Sequence, residues 1–235
     1  MKLRNVLSVV LVGLMSLWTL AAPAAAQDEQ KPKVKIPEPG VPEIMTMEGR
    51  FVRAAYNNEG YVILGYQLAN DSVGGEWMLL EVGITLREKV PDYVLKREAV
   101  SLMTPDGTSL PLPSLMEYRE APTGGLQNQA KVIKDSINYF PAHASDPCRI
   151  GFFSDLKDRA MAWDQVELNY RRACMGRLFF KVPGGIQYGQ HWLDVKFEKT
   201  LIRVPFRILT KEEEKLLNKN YKDFSKQVKE AFQPK

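Results

Sequence analysis

Two histidines, two cysteines and a group of aspartates around a tryptophan are the residues of this chain whose types could do chemistry. His143 and His191 lie far apart in sequence, so an imidazole pair working as acid and base is not encoded locally. His143 stands five residues before Cys148, and a metal held there would need a reduced thiol and further ligands. His191 opens a strand beside Trp192, where a surface or turn role is expected. Asp155, Asp158 and Asp164 surround Trp163, which are the residue types of a glycan site, carboxylates beside an aromatic platform. The same types serve as turn formers and caps, and that is the expectation here. The zinc-protease H-E-x-x-H, the nucleophile elbow G-x-S-x-G, the phosphate loop, the dinucleotide fingerprint and the calcium loop are all absent. The sequence therefore predicts no catalytic residue, no metal ligand and no cofactor.

Cys148 and Cys174 read as a disulfide, the simplest state of a cysteine pair in an oxidising compartment. A redox pair would show C-x-x-C spacing, and this one does not. Closing a loop of roughly 26 residues stabilises by about 3.5 kcal/mol on the chain-entropy argument.

The compartment is read from the first residues. Lys2 and Arg4 precede an uncharged apolar run over 6–22, and Ala24-Ala25-Ala26 fits a signal-peptidase site. Residues 1–26 are expected to be removed, which makes the protein periplasmic or secreted, with no stable membrane span after cleavage. Of 235 residues, 209 then remain, enough for one sizeable domain. The formal charge of +4 falls to +2 on losing Lys2 and Arg4, and charges of both signs are interspersed. A nucleic-acid partner would call for a concentrated basic footprint, so none is expected.

Residues 27–47, with Pro32, Pro37, Pro39 and Pro42 among charges, read as an extended leader. A domain over 48–209 follows. Its clearest signal runs from Arg177 to Leu209, where Leu193, Val195 and Phe197, then Ile202, Val204, Phe206 and Ile208, alternate with mostly polar residues. That period of two puts apolar side chains on one face of a sheet. Strands are likewise expected over 50–56, 61–69, 76–87, 93–104, 108–112 and 165–171, with Asn57 to Gly60 and Pro105-Asp106-Gly107 as turns. Tyr56, Tyr61, Tyr66, Trp77 and Tyr93 fall in this first sheet, and an outward-facing subset would form a contact patch. Leu126, Ala130, Ile133 and Ile137 carry helical spacing, so an inserted helix is expected near 124–140. Thr210 and Glu213 form a capping box opening a helix over 210–235, whose stripe includes Leu217, Tyr221, Phe224 and Val228. That stripe either packs on the domain or contacts a partner.

The expected fold is mostly β: an antiparallel two-sheet sandwich, immunoglobulin-like, with one inserted helix and a C-terminal amphipathic helix. Gly176-Arg177-Leu178-Phe179-Phe180-Lys181-Val182-Pro183 and Ile202-Arg203-Val204-Pro205-Phe206, strands running through Val-Pro, resemble the uncharacterised exported immunoglobulin-like proteins of bacterial envelopes. The resemblance covers about 48–209 and implies a fold without an activity. Function is accordingly expected to be that of a non-catalytic binding or scaffold module of the cell envelope, with another envelope protein as partner. The alternatives are a hydrolase acting on glycans through residues of 114–165, and a small-ligand binder.

Overall fold

Alternating apolar and polar residues extend the chain wherever a face can be buried. The computed structural model describes residues 44–154 and 161–232, and among these are twelve strands and four α-helices. In chain order the strands are β1 (Ile44–Gly49), β2 (Val52–Tyr56), β3 (Gly60–Gly65), β4 (Trp77–Leu86), β5 (Tyr93–Lys96), β6 (Val100–Met103), β7 (Ser109–Pro111), β8 (Asp146–Ile150), β9 (Gln165–Leu168), β10 (Arg172–Lys181), β11 (Gly189–Lys196) and β12 (Leu201–Ile208). The helices are α1 (Gln67–Asp71), α2 (Leu115–Glu120), α3 (Gly124–Val132) and α4 (Lys211–Ala231). The expected signal sequence over 1–26, the leader up to residue 43, and Asp155 and Asp158 lie outside the described residues.

Six strands in the order β1-β2-β3-β4-β10-β8 make the largest sheet, β12-β11-β6-β7 a second, and β5-β9 a separate pair. The inner faces of the two larger sheets share one core. Val62, Leu64, Leu80 and Val82 from the first, and Leu193, Val195, Ile202 and Val204 from the second, are all fully buried. Each such side chain contributes about 1.5–3 kcal/mol by leaving water. The alternation in 193–208 thus serves the purpose expected of it. A buried carboxylate ties the sheets at one end: Glu59, in the β2–β3 turn, accepts from Thr200 N (2.9 Å) and Thr200 Oγ1 (2.6 Å) in the β11–β12 turn.

The third sheet departs from the expected two-sheet sandwich, and Arg97 is the reason. The stretch 93–104 is not one strand, because Arg97–Ala99 forms a 3₁₀ turn between β5 and β6. Its guanidinium is buried and donates to the carbonyls of Phe152 and Pro113, so the chain bends inward there. β5 then pairs with β9, and β6 with β11 and β7. The pairing is not wholly antiparallel either. β8 runs parallel to β10, from Arg172 opposite Asp146 to Gly176 opposite Ile150. Such a pair needs a long crossover, which the chain between Ile150 and Arg172 supplies.

Three boundaries also move. β1 starts at Ile44 inside the expected leader, burying Met45 and Met47 while Ile44 and Thr46 stay half-exposed. The strand expected over 61–69 stops at Gly65 and turns into α1, because Leu68, Ala69 and Asn70 are buried consecutively, which a strand's alternation does not allow. The inserted helix ends at Val132. From Ile133, whose backbone is extended (φ −92°, ψ 106°), the chain crosses the large sheet as a strap over residues 133–140. α2 was not expected, although Ser114 and Glu117 carry an N-cap signature and Ser114 Oγ accepts from Glu117 N at 3.1 Å.

α4 opens on the expected capping box, both of whose hydrogen bonds form. Leu217, Phe224, Val228 and Phe232 are buried in the common core, and Tyr221 donates to the carbonyl of Met47 at 3.2 Å. The helix packs on β1 and covers that edge of the large sheet.

Candidate functional site: a basic cleft on the large sheet

The register of the large sheet lines up one row of side chains on its outer face: Ala54, Ile63, Gly83, Met175 and Arg149, crossing β2, β3, β4, β10 and β8. The strap covers the near end. Ile137 and Phe140 pack against Val52, Ala54 and Ile63. A Cβ at Gly83 would stand 2.7 Å from Phe140, and one at Gly65 would stand 2.5 Å from Asp135 Cβ, so the absence of side chains lets the strap lie on the sheet. The far end of the row is open. Met175 is 39% exposed and Arg149 is exposed beside it.

Here α2, α3 and β10 enclose a cleft of about 210 Å³. Its floor is an aromatic triangle: Tyr118 to Phe153 at 4.7 Å, Tyr118 to Phe179 at 4.9 Å and Phe153 to Phe179 at 5.3 Å between ring centres. The Tyr118 hydroxyl donates to the carbonyl of Ser154 at 3.0 Å and accepts from Gln127 Nε2, which fixes both polar groups. At the back, Arg177 donates to the carbonyl of Ala130 at 2.7 Å and stands 3.4 Å from Glu81. Arg149, at the mouth, has no ion pair or hydrogen bond among the described residues. Gly176 lets β8 approach, since a Cβ there would meet the Ile150 carbonyl oxygen at 2.4 Å. Beyond Ile150, Trp163 lies against Gly151 and donates its backbone N–H to the Gly151 carbonyl at 2.8 Å, with 58% of its surface exposed.

The disulfide builds this site from behind. Cys148 and Cys174 are opposite one another in the parallel pair and are bonded (S–S 2.06 Å), with Cys174 in the core. Side chains alternate along a strand, so the residue after each cysteine faces outward. Those residues are Arg149 and Met175. Chemically, guanidinium, amide, hydroxyl, thioether and aromatic groups bind and orient a ligand. Among the described residues, the lining includes no carboxylate or imidazole.

The strap end carries a perturbed carboxyl. Asp135 accepts from Gln67 N at 2.8 Å and donates its own N–H to Glu81 at 2.9 Å. Burial, and then the negative charges of Glu81 and Asp71, push the Asp135 carboxyl up to about 6.

Most of the other residues singled out in the sequence lie elsewhere. His191 is fully buried rather than a surface or turn residue; it stacks on Phe206 at 5.4 Å, with Nδ1 3.1 Å from the Gly189 carbonyl. A carbonyl only accepts, so Nδ1 carries the proton, and burial pushes the imidazole pKa down. His191 lines a separate cavity of about 150 Å³ with Asp106 and Thr104. His143 stands 3.4 Å from Glu88, and the bonded Cys148 offers it no thiolate. Asp164 is 3.7 Å from Arg97. Tyr66 and Trp77 are buried, while Tyr56 and Tyr61 stack half-buried at 4.9 Å under Arg87. Leu217, Phe224 and Val228 face the core. Sequence reading passed over Arg149, Met175 and Arg177. The available signal was that Arg149 and Met175 each follow a cysteine, which places them side by side once the strands are parallel.

Among the described residues, no three His, Cys, Asp or Glu side chains gather as metal ligands, and no helix is long and apolar enough to cross a membrane. The fold and the cleft define a class: a mostly β protein with a disulfide-pinned parallel strand pair and a basic, aromatic-floored cleft on its largest sheet. Comparison with known proteins adds nothing to that class, because no family model, curated protein or solved structure matches the chain.

Proposed function

We propose that this protein is an exported, non-catalytic binding module of the cell envelope that docks another envelope protein at the cleft. The observation that carries the reading is the surface at the cleft, where Arg149 and Met175 stand exposed side by side on a disulfide-fixed frame, with the exposed Trp163 against nearby Gly151. Arginine, tryptophan and methionine are the residue types enriched where protein surfaces meet. The cleft suits an inserted side chain rather than a whole small molecule: its volume of about 210 Å³ falls below the common range of ligand pockets, roughly 300–1,000 Å³. The terminal helix is the weaker docking element, since its apolar stripe is already in the core.

Export through a signal sequence over 1–26, and life in the periplasm or outside the cell, belong to the same reading. The disulfide supports them, because such bonds persist in oxidising compartments. An immunoglobulin-like frame is part of it too, supported by the common core of the two larger sheets, in which Tyr66 meets Phe206 at 5.1 Å.

Native mass spectrometry of the protein recovered gently from its own envelope tests the reading. We expect the chain 27–235, with its disulfide, to carry a second polypeptide that is lost in a Met175→Trp variant blocking the cleft. Wild-type protein arriving bare, or carrying a partner indifferent to that variant, would overturn it.

A further inference from the structure

Resting on that reading, we infer that the group the cleft accepts is a carboxylate, an acidic side chain or chain terminus of the docking protein, received by Arg149. The argument starts from charge. Among the described residues, the lining holds two guanidiniums and no carboxylate. Arg177 is already engaged by the Ala130 carbonyl and by Glu81. Arg149 keeps all five of its donors without a partner among the described residues, although Arg171, Arg172, Arg203 and Arg207 each face an acid. One unpaired guanidinium matches a monoanion. A carboxylate presents two oxygens to its planar fork, whereas a phosphate dianion would call for more positive charge than one free cation supplies.

The surroundings strengthen such a pair. Met175 lies opposite Arg149 in the strand register, Phe153 and Phe179 floor the cleft, and Trp163 lies against Gly151, the residue after the cleft-lining Ile150. Closing a partner's chain over these apolar groups would remove water from the ion pair, which is screened and weak while exposed. The expected epitope is therefore an acidic residue with apolar neighbours.

The test uses two blocked pentapeptides, Ala-Leu-Glu-Leu-Ala and its glutamine counterpart, with inorganic phosphate as a third probe. Each is titrated into the disulfide-bonded protein while the amide resonances of Ile150 and Gly176 are followed. The glutamate peptide should shift them saturably, bind more weakly as salt rises, and lose at least tenfold in affinity in Arg149→Gln. The glutamine peptide should bind more weakly and be indifferent to that variant. Equal binding of the two peptides would overturn the carboxylate while leaving a docking cleft. Tighter binding of phosphate than of the glutamate peptide would replace the carboxylate by a phosphoryl group. No shift with any probe would overturn the inference, and the native-mass experiment would still decide the docking reading by itself.

Discussion

One row of residues on the outer face of the large sheet ends in two different ways. At Ala54, Ile63 and Gly83 the sheet is finished: glycine removes the bulk, Phe140 and Ile137 fill the space, and the strap's polar groups find partners in Gln67 and Glu81. At Met175 and Arg149 the same face is left open, with a cation that has no partner among the described residues beside an exposed thioether. The strands beneath differ as well: β2, β3 and β4 are each paired on both sides, whereas β8 is the edge of the sheet and is pinned to β10 by the disulfide. A surface that the chain covers with its own strap needs no partner. One held rigid by a disulfide and left bare suits contact with something else.

Variants should separate the two ends, and the frame beneath the cleft gives the largest effect. Replacing both cysteines by serine should cost about 3.5 kcal/mol, lowering the melting temperature by about 10 °C. Exchange of the β8 amides should also accelerate relative to β3. A uniform change across both would show that the bond does not act through the parallel pair.

Glycine substitutions come next. Gly176→Ala would set a Cβ 2.4 Å from a backbone oxygen, and Gly65→Ala would set one 2.5 Å from Asp135 Cβ. Each should cost about 1–3 kcal/mol by overpacking. Gly176→Ala should also open the cleft and abolish peptide binding, whereas Gly65→Ala should loosen the strap and spare binding. Loss of binding in both would merge the two ends into one unit.

The pH response belongs to the strap. The folded state raises the Asp135 carboxyl to about 6 from an ordinary 3.8, so it holds its proton more tightly folded than unfolded. The associated stability is fully present below about pH 4 and is lost as pH rises through 6. A shift of about two units corresponds to about 3 kcal/mol, and partial exposure discounts it to about 1–2 kcal/mol. Relative to Asp135→Asn, the wild type should therefore lose about that much between pH 4 and pH 7 in chemical denaturation. A constant difference would remove Asp135 from the account. His191 works in the opposite sense: its pKa is lowered, so its contribution is lost as pH falls below about 6.5.

The smallest effect is expected where function is placed. Arg149→Gln removes no hydrogen bond or ion pair among the described residues and should change stability by less than about 0.5 kcal/mol, the usual range for a surface site. A larger loss would show that Arg149 is part of the frame after all.

How far the chain could be read follows from the range of each interaction. The strands of 76–87 and 201–208 were legible because Met78 to Leu86 and Ile202 to Ile208 alternate within a single element, and a sheet face has only to be buried by something. The capping box at Thr210 and Glu213 was legible because both bonds close within four residues. The cysteine pair followed from count and compartment. Arg97 misled, because nothing local says that a guanidinium in a strand-like run will turn inward to the carbonyls of Phe152 and Pro113. The helical spacing of Leu126, Ala130, Ile133 and Ile137 misled as well. Past Val132 the same residues also fit a period of two, and the bare surface at Gly65 and Gly83 was there to receive an extended chain.

By itself the sequence determined the β-rich class, the paired cysteines and the terminal helix, since alternation, pairing by count and capping are settled by near neighbours. The parallel direction of β8 and β10, the strap and the cleft were decided by tertiary structure alone. Each depends on which strand lies beside which, and that is a competition among distant segments for one sheet. Arg149 became a candidate site when Cys148 met Cys174 across a parallel pair and turned the two following side chains to the same open face.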